Sequence, residues 1–149
     1  MNKKIILAFV SMLFAFFPVF VLAQHNSNQL PKIAKEYIVK HFKGYEINYI
    51  VKDRDVFDQD YSVYVCKANV GYKMEFDKYG NIQSVESEKR TAELPSSVVP
   101  AKILEYVKSA YPNSKIVEWS KDRFSQTIEL NNDLEVVFNN KGEFLRVDD

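Results

Sequence analysis

Slid against itself by 69 positions, the chain matches itself, and that constrains its fold more than any other feature. Pro31 falls on Pro100, Glu36-Tyr37 on Glu105-Tyr106, Ile47 on Ile116 and Lys52-Asp53-Arg54 on Lys121-Asp122-Arg123. That is seven identities in the 24 positions from Pro31 to Arg54, where unrelated segments share about one or two. Further on, the matching shift becomes 62, with Phe76 on Phe138, Gly80 on Gly142 and Val85 on Val147. The change from 69 to 62 places seven extra residues in the first copy, between Arg54 and about Ala68. Segment 55–60 is their expected place. The charged stretch 86–93 has no apolar period and reads as a linker between copies.

Each copy opens with one apolar stripe at helical spacing. Ile103, Tyr106, Val107, Ala110 and Tyr111 stand at i, i+3, i+4, i+7 and i+8, and their counterparts are Ala34, Tyr37, Ile38, His41 and Phe42. Pro31 and Pro100 suit a first turn, where a missing N–H is harmless. Lys43-Gly44 and Pro112-Asn113 supply the stops. Strand-like segments follow at 46–52, 61–68 and 72–76, and again at 115–121, 126–130 and 134–138. Tyr72, Met74 and Phe76 alternate with Lys73 and Glu75, and Leu134, Val136 and Phe138 repeat the period of two. Gly-containing turns at 77–81 and 139–143 lead into last strands at 82–85 and 144–147. The expected fold class is α+β. It is a tandem repeat of two units, residues 24–87 and 88–149, each a helix followed by about four antiparallel strands, with the helix packed on one sheet face.

The first 23 residues read as an export signal. Met1-Asn2-Lys3-Lys4 is a short basic start, residues 5–17 are apolar or small, Pro18 breaks the run, and Val21-Leu22-Ala23 offers small residues at −3 and −1. Cleavage is expected after Ala23, giving a periplasmic or secreted protein. The residue directly after Ala23 is Gln24, not a Cys that could take a lipid anchor. Removing Lys3 and Lys4 from 20 basic residues leaves 18 against 20 acidic ones, a net charge of about −2. That near-neutral, mixed-sign composition shows no footprint for nucleic acid and no polybasic patch for anionic lipid, so neither nucleic acid nor stable membrane insertion is expected. The one cysteine, Cys66, has no partner within the chain for a disulfide.

A Leu-Pro-led helix at Leu30-Pro31 and Val99-Pro100, an Ile-led strand at Ile47 and Ile116, and a closing Phe-x-x-x-Gly hairpin at Phe76 and Phe138 stand behind a signal peptide. Together they resemble the PepSY-like family of secreted bacterial proteins, similar in fold to the beta-lactamase inhibitory protein. The resemblance spans about residues 30–147. It implies no general catalytic activity and no cofactor, and by analogy alone it suggests inhibition of a secreted enzyme. The inhibitory protein is stapled by disulfides, which a chain with only Cys66 cannot form.

Few reactive constellations stand out. Cys66 with His41 is a conceivable nucleophile and base, but such a pair also needs an orienting group and an oxyanion site, and His41 reads more plainly as a packing position at the edge of the helix stripe. Asp53, Asp55, Asp58 and Asp60 resemble a Ca²⁺ loop but lack the Gly and closing Glu of an EF-hand. A solvated acidic hairpin is the plainer reading of them. The informative asymmetry is the segment 61–68, where Tyr61, Val63 and Val65 alternate with Tyr64, Cys66 and Ala68, so that both faces are apolar. One set must lie on the sheet face away from the helix, covered or open to a partner. The expected function is a non-catalytic binding module for a protein or peptide, with no cofactor and no metal. Its contact surface is expected to include Phe57, Asp58, Asp60, Tyr61, Val63 and Val65, with Trp119 contributing. The alternatives are a structural protein of the cell envelope and an enzyme of unrecognised type.

Overall fold

The computed structural model describes residues 29–52 and 60–148. The export signal at 1–23 lies outside the described residues, as do Phe57 and Asp58 of the expected contact surface. The elements run α1 Lys32–His41, β1 Glu46–Lys52, β2 Tyr61–Lys67, β3 Val70–Phe76, β4 Ile82–Ser87, α2 Ala101–Ala110, β5 Ile116–Lys121, β6 Ser125–Leu130, β7 Glu135–Asn139 and β8 Phe144–Asp148.

Both helices start behind proline. The carbonyl oxygens of Pro31 and Pro100 accept hydrogen bonds from the Lys35 and Leu104 amides at 3.2 and 3.1 Å, so each proline closes a first turn without needing an N–H of its own. Ala34 and Ile38 of α1, and Ile103 and Val107 of α2, form the buried stripes. Tyr37 sits edge-on to Phe76 at 5.8 Å and Tyr106 edge-on to Phe138 at 5.4 Å, which fixes each helix over its strands. Two turn glycines permit that approach. A Cβ on Gly80 would stand 2.8 Å from the Pro31 side chain, and one on Gly142 would stand 3.1 Å from Lys102. Both have positive φ, where a side chain is strained.

The expectation of two α+β units in tandem is corrected by the strand pairing. Among the described residues the eight strands make one antiparallel sheet in the order β1-β2-β3-β4-β5-β6-β7-β8, with two helices beside it. β4 pairs with β5 through Ser84↔Ser120, Val85↔Trp119 and Glu86↔Glu118, so no free sheet edge separates the first four strands from the last four. Glu86, expected in a linker, is a strand residue at this seam. One buried cluster runs from Leu30 through Val63, Met74, Val85 and Trp119 to Phe138. The physical reason is edge pairing. A lone four-stranded sheet leaves a row of unpaired N–H and C=O groups, and joining two such edges satisfies both. Internal sequence matching reports which segments are alike, not how their edges meet.

Candidate functional site

The described members of the expected contact surface lie on the wrong side of the sheet, apart from Asp60. Tyr61, Val63 and Val65 point from β2 into the core beneath the helices, at 7 %, 0 % and 1 % exposure. Trp119 is buried as well, its indole N–H donating to Gln126 Oε1 at 3.1 Å. Asp60 is exposed at the start of β2. The correction follows from register. Tyr61, Val63 and Val65 pair with Phe76, Met74 and Tyr72, whose side chains are the floor on which α1 packs. A period of two allows either set of β2 to face inward, and the pairing decides which. The opposite set, Ser62, Tyr64 and Cys66, therefore occupies the face without helices.

That face holds an ordered row across the whole sheet. Successive pairings align Tyr49 of β1 with Tyr64 of β2 and Lys73 of β3. The row continues through Glu86 of β4, Glu118 of β5, Glu129 of β6, Glu135 of β7 and Asp148 of β8. Two tyrosines and a lysine are thus followed by five consecutive acids. With strands about 4.8 Å apart, the acids extend over about 19 Å. Like charges directly opposite one another destabilise a sheet, so the row serves nothing that folding requires. Glu118 shows the consequence. Burial pushes its pKa up to about 7, and the charges of Glu86, Glu129 and Glu135 add to the effect.

Few cations relieve the row. Arg90 reaches Glu129 and Asp133, Arg146 holds Asp148 at 2.9 Å, and Lys73 is taken by Glu75 of its own strand at 2.7 Å. Among the described residues no cation pairs with Glu86, Glu118 or Glu135. Glu118, Ser120, Thr127, Glu129 and Glu135 line a recess of about 190 Å³ there. At the other end of the row the rings of Tyr49 and Tyr64 stack at 4.1 Å and 20°. Beside them Val51 is 47 % exposed on the same face.

The conceivable Cys66–His41 pair does not assemble. Cys66 lies on the open face, its thiol donating to Asn48 Oδ1 at 2.9 Å. His41 belongs to α1 on the opposite face, its ring 4.3 Å from that of Tyr37. Of the aspartates considered for a Ca²⁺ loop, Asp53, Asp55 and Asp58 lie outside the described residues. The sequence reading missed Tyr49, Tyr64 and the acid row as a unit. A row across eight strands is set by register, which no local pattern in the sequence reports.

No curated protein matches the chain. Solved structures do. A "putative periplasmic protein of unknown function" from Bacteroides vulgatus is 32 % identical with a TM-score of 0.74, over 84 % of this chain and 96 % of that one. A second "putative periplasmic protein" from Bacteroides vulgatus is 31 % identical with a TM-score of 0.71, over 82 % and 92 %. A "putative calcium-regulated periplasmic protein" from Bacteroides thetaiotaomicron is 29 % identical with a TM-score of 0.73, also over 82 % and 92 %. The family described as "Putative beta-lactamase-inhibitor-like, PepSY-like" matches twice, at residues 21–84 and 59–146. With both matches and these full-length structural relatives, the chain belongs to the PepSY-like family.

Proposed function

We propose that the chain is an exported, non-catalytic binding module that takes a basic protein or peptide segment on the sheet face without helices. The observation that carries this reading is the row of five acids in register, Glu86, Glu118, Glu129, Glu135 and Asp148, continued by the Tyr49–Tyr64 stack. A cationic segment laid across the row relieves repulsion that the free protein must bear, and the stacked tyrosines offer an apolar anchor at one end. The periplasmic relatives and the leader at 1–23 support export, with cleavage after Ala23. Intact-mass analysis of the exported protein beginning at Gln24 agrees with that, and retention of residues 1–23 contradicts it.

Affinity capture from the periplasmic fraction tests the surface. The wild type is expected to retain a partner that Glu118→Lys with Glu135→Lys releases, while Val39→Lys on the outer side of α1 keeps it. Capture unaffected by reversing the two acids contradicts the reading.

A further inference from the structure

The β4–β5 seam joins the two self-matching stretches of the chain, and the outermost strands match the two that meet there. At the shift of 62, Ser84, Val85 and Glu86 of β4 fall on Arg146, Val147 and Asp148 of β8. At the shift of 69, Tyr49, Ile50 and Val51 of β1 fall on Glu118, Trp119 and Ser120 of β5. The likeness extends to irregularities of pairing. β1 shifts register between Ile47 and Tyr49, and β5 between the matching Ile116 and Glu118. The ladder of β3 with β4 shifts between Glu75 and Phe76, and that of β7 with β8 between the matching Val137 and Phe138. β8 therefore has the form of the edge that β4 presents to β5, and β1 the form of the edge that β5 presents to β4.

Among the described residues β1 pairs only with β2 and β8 only with β7, so each leaves backbone N–H and C=O groups unpaired along one side. A row of inward-facing apolar residues crosses the sheet from Ile50 through Val85 and Trp119 to Val147. At the seam the row is closed, with Val85 at 0 % and Trp119 at 5 % exposure. At the two edges it is open. Val147 is 37 % exposed and Ile50 is half-buried. Edge strands that must stay single are guarded by proline or by charges pointing inward. Neither β1 nor β8 contains proline, and the inward-facing positions 50 and 147 carry no charge.

We propose that a second copy of the chain adds its β1 to β8, antiparallel and in the register of the β4–β5 seam. Arg146, Val147 and Asp148 of one copy then stand opposite Val51, Ile50 and Tyr49 of the next. Val147 and Ile50 continue the core row from one copy into the other, and no like charges face each other at these three positions. Each added copy presents a fresh β8, so the association runs head to tail and does not close at a dimer. The contact is one strand wide, which makes it reversible and dependent on concentration. It leaves the open sheet face free and does not depend on what that face binds.

Disulfide trapping of the purified exported protein tests it. Cys66→Ala removes the native thiol, and Arg146→Cys or Val51→Cys then places a single thiol on one edge, both at exposed positions. Oxidised glutathione takes up the two electrons as two thiols join. The two variants are mixed in equal amounts, and the products are told apart by intact mass. Chance collisions make as much of the mixed disulfide as of the two homodimers together, whereas thiols held opposite each other are expected to give about a tenfold excess of the mixed product. A protein carrying both Arg146→Cys and Val51→Cys is expected to give a ladder of dimers, trimers and longer species. Val147→Lys, which points a charge inward at the edge, is expected to abolish the ladder. Val147 is already partly exposed in the single chain, so that variant should melt close to the wild type. A mixed product no commoner than chance overturns the proposal, as does a ladder that survives Val147→Lys. Homodimers of either single variant in excess of the mixed product mean that like edges meet, and the head-to-tail register is then wrong. Dimers alone from the double variant mean a closed pair and overturn it too.

Discussion

Val85→Ala tests whether the two halves of the sheet are one cooperative body. Val85 has no exposed surface and stands in the core row between Met74 of β3 and Trp119 of β5, at the seam where β4 meets β5. Removing two buried methyl-sized groups forfeits about 1.6 kcal/mol of transfer free energy. The incompletely closed void adds about 1 kcal/mol. A loss of about 2.5 kcal/mol corresponds to a fall in Tm of about 10 °C for a domain of this size. Differential scanning calorimetry is the assay. Because one cluster of side chains crosses the seam, a single transition is expected in both proteins, displaced as a whole in the variant. Two transitions, with only one of them moving, would refute the continuous sheet. A single transition displaced by less than about 2 °C would refute the packing at Val85.

Three further outcomes follow from single groups. The folded protein holds the Glu118 proton more tightly than the unfolded chain does, with a pKa raised from 4.5 to about 7, so this carboxyl takes stability away as pH rises through that interval. Glu118→Gln is therefore expected to gain about 1 kcal/mol at pH 8, discounted for its partial solvent contact, and nothing at pH 4; a gain equal at both pH values contradicts this. Gly80→Ala forces a side chain at φ +91° to within 2.8 Å of Pro31 and 2.9 Å of the Ala34 amide, and a loss of about 2 kcal/mol or more in urea unfolding is expected. Tyr72→Phe deletes the hydroxyl that donates to the Glu93 carbonyl at 2.7 Å, with an expected cost of about 1 kcal/mol by the same assay.

Local elements were legible in the sequence because they answer to local rules. The stripes of α1 and α2 follow the 3.6-residue period, and the alternation at Tyr72, Met74 and Phe76 follows the period of two. The turns at Gly80 and Gly142 carry the residue their positive φ demands. What was not legible depends on pairing between distant segments. Nothing near Val85 announces Trp119 as its neighbour, so the seam that makes one sheet of eight strands stayed hidden. The same ignorance of register put Tyr61, Val63 and Val65 on the wrong face, since both sets of β2 are apolar. The five acids of the row sit in five separate strands, β4 to β8, each unremarkable alone, and only their alignment makes them a feature.

The central claim is that the partner meets the sheet on the side the helices leave open. Site-specific photo-crosslinking in exporting cells tests it most directly, with the photoreactive residue placed at Tyr64 on that face or at Val39, which points outward from α1 at 73 % exposure. One discrete crosslinked product is expected from position 64, lost when Glu118 and Glu135 are both changed to Lys, and none from position 39. A product from position 39 with none from position 64 contradicts it.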